Sequence, residues 1–147
     1  MDEKNENKNN QENYPTQFNT LLKEVFDLFG ETSSRMRSKI HIREMRSSLI
    51  RGMQTQEDYA IIMLGPYLWA SREDIEHNRA DIFISREYGY YLMQLSKKHK
   101  FSYDDAISTI NHMKQVYTKS KNKFKNKIHS QLLCMVSVYA KYLLTIR

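Results

Sequence analysis

The sequence predicts an all-α protein. One helical domain of about five or six helices is expected, ending in a nearly all-apolar C-terminal helix and preceded by a disordered N-terminal tail. Three observations lead there. Four glycines and two prolines in 147 residues are few for the many tight turns of a sheet protein. Apolar residues recur at three- and four-residue steps, the period of an amphipathic helix. No stretch keeps the two-residue period of a strand for long. A hydrophobic share of 40% and an aromatic share of 12% provide a core for a chain of this length.

The stretch "MDEKNENKNNQEN" has no apolar residue after Met1. It cannot bury enough surface to offset its ordering entropy, so residues 1–14 are expected as a disordered acidic, Asn-rich tail and 15–147 as the domain. The tail has no apolar region of a secretory signal and is too acidic for a transit peptide. Pro15 and Thr16 open a helix whose face is Phe18, Leu21, Leu22, Val25, Leu28 and Phe29. Gly30 is expected to end it in a left-handed cap.

"ETSSRMRSKIHIREMRSSLIRGM" reads as a basic amphipathic helix ending near Gly52, with Met36, Ile40, Leu49, Ile50 and Met53 as its apolar side. Packing on the domain is favoured over a membrane-surface role. Thr55 with Asp58 resembles a capping box. Gly65-Pro66 is expected to break or kink the helix that follows, leaving "YLWASREDIEH" as a second short helix. A loop is expected over "NRADIF", then a helix through Tyr90, Tyr91, Leu92 and Leu95. Ser102 with Asp105 marks another start, followed by Ala106, Ile107, Ile110, Met113 and Tyr117. The last helix runs from about Phe124 to Ile146 and looks apolar almost all round from Leu132 to Leu144. The expected core is Phe18, Leu22, Val25, Phe29, Ile62, Trp69, Leu92, Ile107, Ile110, Leu132, Val136, Tyr139 and Leu143.

Charge is distributed unevenly. The chain carries +6 in total, as −4 over 1–31, +5 over 32–53, −4 over 54–95 and +9 over 96–147. Basic blocks attract phosphates or acidic proteins, and they attract acidic blocks of the same or a neighbouring chain. "KSKNKFKNK" at 119–127 concentrates the second block, with Lys119, Lys121, Lys123, Lys125 and Lys127 alternating. On a helix, steps of two residues turn by about 200°, so these lysines do not form one stripe. Phe124 in their midst suggests that one helix ends here and another begins. The leading reading is a solvated joint. A nucleic-acid strip or a site for an acidic partner is the alternative, drawing also on Arg35, Arg43 and Arg46. A helix-turn-helix over "GYYLMQLSKK", "HKFS" and "YDDAISTINHMKQVY" has a suitable turn, but Asp104 and Asp105 would repel phosphates where base-reading residues usually sit.

Little points to catalysis. No catalytic residue, cofactor site or metal site is expected. No nucleophile elbow, phosphate-binding glycine loop or dinucleotide fingerprint occurs. Glu73, His77 and Asp81 would share a face only if one helix ran through all three. Cys134, the single cysteine, sits in apolar "QLLCMVSVYA" and is expected as a small core residue. No apolar run reaches the roughly 18 to 20 residues of a membrane span, so the chain is expected to be soluble.

"LGPYLWASREDIEHNRADIFISREY", then "KKHKFSYDDAI" and the final apolar helix, resemble small helical proteins of large nucleocytoplasmic DNA viruses over roughly residues 60–147. The resemblance implies a cytoplasmic or virion setting and supplies no site residues. The expected function is a non-enzymatic structural or protein-interaction subunit, of the virion or assembly type, with protein partners or self-association. The alternative is a nucleic-acid-binding accessory protein using 119–127. The geometry of the two basic blocks discriminates: nucleic-acid binding needs them on one surface, self-assembly needs basic opposite acidic.

Overall fold

The computed structural model describes residues 13–99 and 101–146, apart from the side chains of Ile82 and Ser85. The expected tail therefore lies outside the described residues except for Asn13 and Tyr14. Among the described residues the regular structure is helical and no strand occurs. The order is α1 Tyr14–Thr32, α2 Met36–Thr55, α3 Tyr59–Ala70, α4 Arg72–Glu76, α5 Ala80–Ser85, α6 Gly89–His99, α7 Tyr103–Lys119 and α8 Asn122–Thr145. The five or six expected helices undercount this because α4 and α5 are little more than single turns. They fill a stretch that periodicity cannot resolve at such lengths.

The Asn13 side chain accepts from the Thr16 amide and caps α1, with Pro15 in the first turn, where its missing N–H costs nothing. Gly30 does not end the helix. The chain stays helical to Thr32, and the Ser33 amide closes on the Phe29 carbonyl at 3.0 Å. Likewise α2 runs past Gly52 to Thr55, whose hydroxyl donates back to the Arg51 carbonyl. Thr55 thus ends a helix rather than capping the next one. Asp58 stands at the α3 amino end without a side-chain cap bond.

Nor does Gly65-Pro66 break α3, which continues to Ala70; the interruption falls at Ser71. Pro66 offers no donor to the turn before it, and on that turn the Tyr91 hydroxyl donates to the Met63 carbonyl. Gly65 is required by contact rather than by dihedral angle. A Cβ there would lie 2.2 Å from a ring carbon of Tyr139, so α3 and α8 meet backbone to ring.

The core forms where α8 lies across α1, α3, α4 and α5, while α2 packs on α1 and α7 and α6 on α7. Phe18, Ile42, Ile61, Ile75, Ile128 and Met135 are fully buried. A smaller cluster of Tyr88, Leu92 and Ala106 seals the α6–α7 side. Of the expected core, Phe18, Leu22, Val25, Phe29, Leu92, Leu132, Val136 and Tyr139 are buried. Trp69, Ile107, Ile110 and Leu143 are half-buried, and Ile62 faces out while Ile61 takes the interior. The buried face of α2 is Ser38, Ile42 and Leu49; Met36 and Ile40 point outward, at 68% and 45% exposure.

The C-terminal helix is central but two-sided. Phe124, Ile128, Leu132, Met135, Val136, Val138, Tyr139 and Tyr142 face in. Ser130, Cys134, Ser137, Lys141 and Leu144 face out. The expectation of a buried Cys134 is overturned: its thiol is exposed. No described helix is long and apolar enough to cross a membrane.

Candidate interaction site

The lysine ladder spans the joint between α7 and α8. Lys119 is the last residue of α7; the Ser120 amide and hydroxyl both turn back to the Tyr117 carbonyl, at 3.1 and 2.6 Å. Lys121 is the extended residue before α8. Phe124 anchors the new helix, buried edge-on against Phe29 with ring centroids 5.1 Å apart and near Tyr117 at 6.5 Å. With the joint fixed in this way, the lysines diverge. Lys125 folds over the Tyr117 ring at 5.3 Å. Lys121 and Lys123 are exposed, and their side chains make no hydrogen bond or ion pair among the described residues.

Lys119 reaches a different neighbour. It lines a small cavity of about 130 Å³ with Arg35, Ser33, Ser34, Ser38 and Ser120. Arg35 and Lys119, more than eighty residues apart in sequence, therefore bring one residue of each basic block together here. The walls hold cations, hydroxyls and amides, with no acid among them. Beneath lies a polar seam between α2 and α7. The buried Ser38 hydroxyl bonds His112 Nδ1 at 2.8 Å, and the His112 ring stacks on His41 with centroids 4.6 Å apart. His112 is held below its usual range, first by desolvation and then by the charges of His41, Arg37 and Arg35. A further cation is thus disfavoured in this corner, as expected where positive charge is uncompensated.

The remaining basic residues singled out from sequence are placed elsewhere. Lys127 lines a broad groove of about 500 Å³ with Glu24, Asp27 and Glu31 of α1, where Gln131 donates to the Glu24 carboxylate at 2.7 Å. Arg46 pairs with Asp27 at 2.9 Å. Arg43 borders a separate hollow with His41, Glu44, Arg51 and Asp105. Of the eight candidates, then, Arg35 and Lys119 share a cavity, and Arg46 and Lys127 sit against acids.

Sequence reading missed Ser38, His41 and His112. Ser38 is buried and His112 half-buried, at positions outside the apolar faces read from the sequence. The three-residue step from Ser38 to His41 on one helix was the available signal.

The other candidate constellations come apart. α4 stops at Glu76, Asn78 turns with φ of 59°, and α5 starts at Ala80, so Glu73, His77 and Asp81 do not share one helical face. His77 Nδ1 instead meets the Glu73 carbonyl at 2.7 Å, while Asp74 pairs with Arg79 and Arg86. Helices α6 and α7 do form at the expected places. Ser102 caps α7 by accepting from the Asp105 amide at 3.2 Å, which leaves Asp104 and Asp105 exposed on its first turn. Among the described residues, no three His, Cys, Asp or Glu side chains group as metal ligands. No family model, curated protein or solved structure matches the chain.

Proposed function

We propose that this protein is a non-enzymatic interaction subunit that engages an acidic partner surface at the corner formed by Arg35 and Lys119. The observation that carries the reading is the meeting of one residue from each basic block in a hydroxyl-lined cavity free of acids. Two cations at helix ends, Arg35 just before α2 and Lys119 at the close of α7, flank a site for a carboxylate or phosphate. The exposed Met36 and Ile40 lie on the first turns of α2, just after Arg35. They add apolar contact of the kind found at the centre of protein interfaces. The groove bearing Glu24, Asp27 and Glu31 on a second copy is one complementary surface, which gives self-association a physical route.

Nucleic-acid binding is the second reading, favoured by the same meeting of the two blocks. A polynucleotide is served best by an extended basic track, whereas this ladder splits, with Lys127 beside three acids and Lys125 over Tyr117. A compact acidic partner fits the corner better. Anisotropy of a labelled oligoglutamate peptide and of a generic duplex, from low to physiological salt, separates the two. The proposal predicts saturable, salt-sensitive peptide binding that Arg35→Gln and Lys119→Gln each weaken. Tighter binding of the duplex, lost in Lys121→Gln with Lys123→Gln, would transfer the assignment to nucleic acid. No binding of either probe at low salt would remove it.

A further inference from the structure

A second cavity, of about 190 Å³, lies among α1, α3, α5, α6, α7 and α8. Its walls are apolar throughout, with Phe26, Tyr67, Tyr88, Leu92, Met113 and Leu132 among them, and Lys114 is the one charged residue on its border. An unfilled apolar hole costs stability in proportion to its volume. Dry apolar cavities of about 150 Å³ take up benzene. This one has room for a ring with a short chain.

Its polar neighbours are arranged suggestively. The hydroxyls of Tyr88 and Tyr91 are engaged with the Phe83 and Met63 carbonyls, so they are turned to the backbone and leave their rings to the cavity. Burial pushes the Tyr91 phenol up to about 12, as expected of a dry wall. Lys114 lends its methylene stem to the wall, and its Nζ lies 5.5 Å from the Tyr88 ring centroid. Among the described residues that ammonium has no carboxylate partner. An apolar chamber with one unpaired cation at its border has the complementarity of a small amphipathic anion.

We infer that this cavity binds a small monocarboxylate, its apolar body of about one ring and a short chain held inside and its carboxylate paired with Lys114. The inference is independent of the basic corner, and its failure would leave that proposal standing. The test uses 3-phenylpropionate and its neutral analogue 3-phenylpropanol, titrated by calorimetry and by methyl NMR of Leu92, Ile110 and Leu132. The acid should bind saturably in the millimolar range or tighter, with shifts confined to cavity methyls. Lys114→Met should weaken the acid about tenfold while leaving the alcohol unchanged. Ile110→Phe, which fills the space from a half-buried position, should abolish both and raise the melting temperature. Absence of saturable shifts in the wild type would overturn the site without recourse to any variant. Equal acid affinity in Lys114→Met would overturn the anionic anchor.

Discussion

His112 shows how one side chain links packing to pH. Desolvation comes first, followed by the charges of His41, Arg37 and Arg35, and together they lower its pKa in the folded chain below the usual 6.5. The unfolded chain therefore takes up a proton more readily than the folded one. Stability from this source is complete above pH 6.5 and is lost as pH falls through the folded value. His99, lowered by burial and then by Lys98, acts in the same direction. Urea midpoints followed from pH 8 to pH 5 should fall, and His112→Gln should flatten part of that fall while His99 supplies the rest. A slope unchanged by the substitution would show that the seam does not resist protonation. Gly65 makes a steric prediction. Placing a methyl 2.2 Å from the Tyr139 ring forces a buried aromatic to move, so Gly65→Ala should cost about 2 kcal/mol by overpacking, where most helical Gly→Ala changes stabilise. Cys134 should react with a maleimide in native buffer, since its thiol is exposed.

Among the elements, α1 was legible from its letters. Phe18, Leu22, Val25 and Phe29 recur at helical steps and are all buried. The end of α1 was not, because Gly30 lies in the helix and no described glycine takes a positive φ. In α3 nearly every residue is apolar, so spacing could not choose between Ile61 and Ile62, and only the neighbouring helices decide. On α8 the signal was present but overlooked: Ser130, Cys134, Ser137, Lys141 and Leu144 mark an outward stripe at steps of three and four. The α2 face was misread because Ser38 and His112 satisfy each other across the interface, making a core position of a polar residue. Ile128→Ala on the central helix should therefore cost about 3 kcal/mol. Ile62→Ala should stay within about 1 kcal/mol, its side chain being 37% exposed rather than buried. Chemical denaturation compares the two, and equal losses would mean that α3 sits in another register. Ser102→Ala, removing the α7 cap, should cost about 1 kcal/mol.

At the scale of the whole fold, charge among the described residues is arranged as neighbouring patches of opposite sign rather than as one basic face. An acid of α1 pairs with Arg46 and the others share a groove with Lys127, while Arg35 and Lys119 remain without an acid in their cavity. That layout was invisible in the ladder, whose lysines are equivalent in sequence and become different only once Phe124 is packed against Phe29 and Tyr117. The joint itself was readable, since alternation on a helix cannot make a stripe; the meeting with Arg35 depends on α2 lying along α7. The decisive measurement is binding of a labelled acidic peptide at low salt by two double variants, Arg35→Gln with Lys119→Gln and Lys123→Gln with Lys127→Gln. Each removes the same charge. Loss of binding in the first pair and near-wild-type binding in the second is the predicted result. Equal weakening in both would mean that net charge alone attracts the peptide, and the corner between α2 and α7 would no longer be the site.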